Sequence, residues 1–249
     1  MVRFVLTPDW FLGFDVLIEF FSFIVLAIFS FLSLQSYTLN RNKKNFMYVG
    51  MGFGLIAFAQ LASILAKIFL YYDIAPIQEV GTAIISNNIV NSVDIFYHIG
   101  FFFYRFLTLA GLYMIYNLHH KKIPFENYLL FAYFIFLSAI LSREIFYLFH
   151  LTALFLLLMI VRNYVRIYKE NKFLNTKMLI TAFGMLAISQ IFFLFASGFM
   201  QATANLVELI SYALLLFLAI KIRKDGKKKK QNGDYIGYAG SNSAKRRKN

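Results

Sequence analysis

The stretch "FLGFDVLIEFFSFIVLAIFSFLSLQSY" occupies residues 11–37 and carries only two charges, Asp15 and Glu19. A run of about 18 or more apolar residues with few charges reads as a membrane-spanning helix. In hydrocarbon each backbone N–H and C=O must find its partner within the chain, so a run of this kind has to be helical. It is also far longer than the ~7–15-residue core of a signal peptide, and no small-residue cleavage site follows, so it is expected to stay in the protein.

Six further apolar runs follow, at 46–71, 93–116, 127–141, 145–165, 176–200 and 206–222. The fourth is the shortest, and at ~1.5 Å per residue it barely crosses a ~30 Å core. The three prolines, Pro8, Pro76 and Pro124, all fall outside these runs, where a missing N–H costs little. Of the 249 residues 60% are hydrophobic and 15% are charged, with a mean hydropathy of +0.64, too few charges to cover a soluble domain of this size. The alternating pattern of a membrane β-barrel is absent. The expected fold is therefore all-α: a polytopic membrane protein with seven transmembrane helices. It divides into a short extracytoplasmic N-terminus (1–10), a helical membrane domain (11–222) and a basic, disordered cytoplasmic tail (223–249).

Lys and Arg in the connections set the orientation. Arg41, Lys43 and Lys44 follow the first run, and Lys121 and Lys122 follow the third. Arg162, Arg166, Lys169, Lys172 and Lys177 surround the end of the fifth, and the tail is rich in both residues. The connections 73–92 and 201–205 contain neither, and Arg143 alone breaks the alternation. This places the N-terminus outside and the C-terminus inside a plasma membrane. Seven is the only count that fits throughout. The net charge of +13 is explained by topology before nucleic-acid binding, which is not expected.

Two runs share a phrase. "FGLIAFAQL" begins at Phe53 and "FGMLAISQI" at Phe183, 130 residues later. Phe, Gly, Ala and Gln match in register, and the remaining positions change like for like. Both runs would pass from inside to outside. A duplication with parallel copies needs a linking helix, which gives a 3+1+3 plan with the short fourth run as linker. Gly50 and Gly54, with Ala57 one turn on, form a small-residue stripe suited to close helix packing.

Ionisable residues inside spans are costly and are default site candidates. Asp15, Glu19 and Ser22 follow the i, i+4, i+7 spacing of one helix face, and Asp94, His98, Arg105 and Thr108 fall along another stripe. Gln60, His150, Gln190 and Glu208 occupy four further runs, and Lys67 lies near the outer end of the second, within snorkelling reach of the interface. With the direction of each helix added, these groups collect in the outer half of the membrane while the inner halves stay apolar. The expectation is a polar pocket that opens outward. Its candidate lining is Asp15, Glu19, Gln60, Asp94, His98, Arg105, His150, Gln190 and Glu208, and Glu19 and Arg105 are expected to form an ion pair.

His98 and His150 lie at matching depth, a spacing that would also suit the two axial ligands of a haem. No other metal site is expected and no cofactor is called for. Cysteine is absent, which excludes disulfides, thiolate sites and catalytic thiols. None of the common zinc-protease, serine-hydrolase or nucleotide-binding motifs is present, so no enzymatic activity is expected. In the tail, Lys227, Lys228, Lys229 and Lys230 would meet anionic lipid headgroups of the bilayer at about 1 kcal/mol per charge.

The segment "YTLNRNKKNFMYVGMGFGLIAFAQLA" (37–62) resembles a pattern seen in prokaryotic seven-helix membrane proteins, among them the membrane domains of sensors. In that pattern an aromatic residue closes helix one, a basic loop follows, and a Gly- and Phe-rich helix returns. The resemblance implies a sensor-like or accessory subunit that passes a state to a membrane or cytoplasmic partner. A small transporter of a polar solute or ion, and a structural subunit, are the alternatives. The lysine midway along helix seven that microbial rhodopsins need is absent, as is the Pro-Gln motif of three-one-three sugar carriers.

Overall fold

A computed structural model describes residues 9–11, 13–39, 44–74, 83–118, 125–142, 145–195 and 197–246. Among them are a short 3-10 turn at Asp9–Phe11 and seven α-helices: α1 (Phe14–Leu39), α2 (Lys44–Ile74), α3 (Ala83–Asn117), α4 (Phe125–Leu141), α5 (Phe146–Asn171), α6 (Leu174–Phe193) and α7 (Gly198–Arg246). No strand occurs in the described residues. Six helices are long and apolar enough to cross a membrane, while α4 offers a shorter apolar stretch, Leu129–Leu141.

Three boundaries differ from those expected. Helix α3 begins at Ala83 rather than near 93, because the ten residues from 83 contain neither Gly nor Pro and the helix can propagate through them. The sixth run ends early. Backbone N–H groups of Leu194 and Phe195 turn back to Ile191 and Phe192, and Ser197 offers its carbonyl to Gln201 N–H. Ser197, expected near the end of the sixth helix, therefore stands immediately before α7, a position that favours serine, and 201–205 belongs to α7 rather than to a connection. Beyond Arg223, the end of its membrane-length part, α7 continues as a helix to Arg246.

Helices α5 and α6 form a tight antiparallel hairpin. Lys172 caps α5 in the left-handed region (φ 50°), with its N–H returning 2.8 Å to Tyr168 O. This is the tight αL ending more often made by glycine. Sequential helices pack closely, and the ring is closed by α1 against α7 and by α3 against α5. Helix α4 lies at the edge against α3 and α5, tied to α5 by a Ser138–Thr152 hydroxyl pair at 3.1 Å.

Glycines set the closest approaches. A Cβ on Gly111 would lie 2.6 Å from Gly52 O, and one on Gly100 would lie 2.7 Å from Ala66 Cβ, so α2 and α3 pack almost backbone to backbone. The expected Gly50–Gly54 stripe faces α1 instead, at Leu34 and Ser30. Ser30 also donates to Gly50 O at 2.8 Å. The core holds Val25, Leu26, Leu109, Ile160, Phe183 and Leu215, all essentially inaccessible. Large apolar side chains such as Phe31, Phe58, Phe155 and Phe217 lie exposed on the outside. A helix that is apolar all round is buried in a large core or in lipid. The outward faces of this bundle therefore require a bilayer, and the protein is a multi-pass membrane protein.

Candidate functional site

A cavity of about 40 Å³ lies at the centre of the bundle, room for roughly two or three water molecules. All six long helices contribute to it: Leu26 from α1, Gln60 from α2, Tyr104 and Thr108 from α3, Ala153 from α5, Gln190 from α6, and Glu208 and Tyr212 from α7. Its two ends differ. Gln60, Gln190, Tyr104 and Glu208 form a polar end. Along α2 and α6 the lining runs seven residues back, about 10 Å of helix, to Phe53 and Phe183. These two rings stack with centroids 6.3 Å apart and planes 16° apart. Phe29 meets Phe53 at 5.1 Å, and Tyr164 stacks on Phe183 at 5.8 Å. Four rings from α1, α2, α6 and α5 thus close the apolar end.

The polar end is a hydrogen-bonded network. His150 Nδ1 meets Gln190 Oε1 at 2.9 Å, and Gln190 Nε2 donates to Glu208 Oε1 at 3.1 Å. Ser189 approaches the same carboxylate oxygen at 3.4 Å. Both roles of the Gln190 amide are used, so it joins α5 to α7 through α6. On the facing side Gln60 and Tyr212 both line the cavity. Gln60 Oε1 and Thr108 Oγ1 are buried with no hydrogen-bond partner. An unsatisfied buried polar atom costs about 1–3 kcal/mol, so these two oxygens mark the part of the cavity wall where a polar guest would be stabilised.

Beside the cavity, on the α1–α2 seam, Lys67 Nζ lies 2.8 Å from Asp15 Oδ2 and 2.7 Å from Glu19 Oε1. Ser63 donates to Glu19 Oε1 at 2.9 Å, and Gly13 N–H to Asp15 Oδ1 at 3.2 Å. Asp15 is fully buried and the Lys67 side chain is 16% exposed. Two carboxylates share one ammonium, and Glu19 and Lys67 lie within electrostatic reach of Glu208 across the bundle.

This arrangement corrects two expectations. The ion-pair partner of Glu19 is Lys67, not Arg105, because α1 packs along α2 and not along α3. Lys67 does not snorkel free of the helices, since its ammonium is held between two acids. Arg105 is half-buried on α3, within electrostatic reach of Tyr104 and His150. His98 is half-buried two turns earlier.

Of the nine expected lining residues, Gln60, Gln190 and Glu208 reach the cavity. His150 touches it through Gln190, while Asp15 and Glu19 form the neighbouring ion cluster. The side chains of Asp94 and of Lys227, Lys228, Lys229 and Lys230 lie outside the described residues. The imidazole of His150 stacks on Phe193 at 4.9 Å with Nδ1 engaged by Gln190, and the cavity is far too small for a macrocycle. These residues do not fit a haem.

Sequence reasoning left Lys67, Tyr104, Thr108 and Tyr212 off the candidate lining. The i, i+4, i+8 stripe Tyr104–Thr108–Leu112 is the signal that would have found the α3 wall. Comparison with protein-family models, curated proteins and solved structures finds no match to this chain.

Proposed function

We propose that the chain is a seven-span plasma-membrane protein of the sensor-like or accessory type, in which the central polar cavity takes a small polar guest. Occupancy would be passed to a membrane or cytoplasmic partner through the inner ends of the helices. The observation that carries this reading is the cavity itself. Polar groups from α2, α3, α6 and α7 meet around a water-sized space with two unsatisfied oxygens, above a closed layer of stacked rings.

Orientation follows from charge. The polar ends of α6 and α7 point away from the α5–α6 turn, where Arg162, Arg166, Lys169, Lys172 and Lys177 cluster. The positive-inside rule puts that turn in the cytoplasm and the polar end outward. Helix α4, 17 residues and about 26 Å long, serves as the seventh crossing and returns the chain between two three-helix halves.

The 3+1+3 repeat is part of this proposal. Phe53 and Phe183, Ile56 and Leu186, and Gln60 and Gln190 are equivalent positions of the twin phrases, and all six line one cavity. Exchanging α1, α2 and α3 with α5, α6 and α7 also exchanges the two closing contacts, α3 on α5 and α7 on α1. That is the pattern of a two-fold axis along the membrane normal, with the site at the repeat interface. The same feature favours a second reading, a small carrier whose halves rock about the cavity. The unbroken, proline-free helices and the ring floor favour the sensor.

Purification from native membranes in mild detergent tests the choice. A stoichiometric partner, whose association changes in a folded Glu208→Gln variant, is the expected result. A chain that purifies alone and carries solute into proteoliposomes would establish the carrier instead.

A further inference from the structure

We infer that the guest of the central cavity is a small monovalent metal cation of sodium size, held by Glu208, Gln60 Oε1 and Thr108 Oγ1. This deepens the polar-site reading above and rests on it.

The donor set is all oxygen. Glu208 is buried, and its named hydrogen-bond partners, Gln190 and Ser189, are neutral donors on one oxygen, Oε1. Gln60 is 4% exposed, and its Oε1 is buried with no hydrogen-bond partner. A bare carbonyl oxygen and a carboxylate lining one cavity suit a guest that brings positive charge. The Thr108 hydroxyl is likewise unpartnered, and the phenols of Tyr104 and Tyr212 complete the oxygen-bearing wall. Carboxylate, carbonyl and hydroxyl oxygens suit hard cations.

Charge and size narrow the class. Divalent calcium takes six to eight oxygen ligands and commonly several carboxylates, whereas no group of three or more His, Cys, Asp or Glu is placed to hold a metal among the described residues. One carboxylate with neutral oxygens matches a single positive charge. The cavity of about 40 Å³ has space for such an ion with one or two waters, and none for an organic cation of several heavy atoms. The stacked Phe53 and Phe183 rings below leave the ion no polar route onward, as a sensing site requires.

The test uses the full chain in detergent, with thermal unfolding followed in sodium chloride and in choline chloride at matched ionic strength and pH. Sodium should raise Tm saturably, by roughly 5–10 °C at a hundred times its half-saturating concentration. Glu208→Gln, which keeps the hydrogen-bond acceptor but removes the charge, should abolish the sodium effect. Thr108→Val, which removes one unsatisfied oxygen at constant volume, should raise the half-saturating concentration about tenfold. Direct binding of radioactive sodium to the wild type, at one ion per chain, gives the same information without reliance on unfolding of a variant. Equal Tm in both salts, or a sodium shift that survives in both variants, overturns the cation assignment. If that occurs while partner association still responds to Glu208→Gln, the polar-site reading stands and only the ligand class falls.

Discussion

Replacing Lys67 by Met is the sharpest probe of the electrostatics in this bundle. The ammonium sits 2.8 Å from Asp15 and 2.7 Å from Glu19, with Asp15 fully buried. Removing one partner of a buried pair costs about 3–5 kcal/mol, because a charge is left without compensation. Here two carboxylates would lose the ammonium they share. At about 2–4 °C per kcal/mol for a chain of this size, Lys67→Met should lower Tm by roughly 6–20 °C in detergent.

The triple variant Asp15→Asn, Glu19→Gln, Lys67→Met carries no charge at the seam, and neutral replacements of buried ion clusters are often harmless or stabilising. It should therefore regain most of the loss, which a Met side chain acting through altered packing would not explain. Thermal unfolding of the three chains, with folding checked by gel filtration, decides the matter. A Lys67→Met protein within about 2 °C of wild type would mean that the lysine head reaches the interface, and the ion cluster would then be abandoned.

Two further expectations follow from packing and orientation. Gly111→Ala would press a Cβ to 2.6 Å from Gly52 O, a backbone atom that cannot step aside, and should destabilise by about 1–3 kcal/mol. Gly184→Ala meets nothing within 4 Å and should be neutral or gain up to about 1 kcal/mol from helix propensity; equal effects in a denaturant titration would contradict the crossing of α2 on α3. Because the chain has no cysteine, single-cysteine labelling has no background. An impermeant maleimide should reach Ser197→Cys in intact cells and Asn171→Cys only after permeabilisation, and the opposite pattern would invert the proposed topology.

Much of the fold was legible in one dimension because lipid removes alternatives. A long run without charges has to be helical there, which is why the six membrane-length helices lie where the apolar runs do. Helix faces were also legible, since Asp15 and Glu19 at i and i+4 must point the same way. The boundary between α6 and α7 was not, because Phe195, Phe199 and Met200 extend the apolar run across the turn, and hydropathy alone gives no reason to stop at Phe193.

For the site, the sequence by itself determined which positions bear polar groups, at what depth, and that two of them, Gln60 and Gln190, recur in a shared phrase. It did not determine who meets whom. Apolar helix surfaces offer many nearly equivalent crossings, so the choice of Lys67 rather than Arg105 for Glu19 depended on α1 lying along α2. That contact is made by small residues such as Gly50 and Gly54. Only the tertiary structure decided it, and with it the placing of Gln60, Thr108 and Glu208 around one water-sized space, because a cavity is a property of six surfaces at once and of none of them singly.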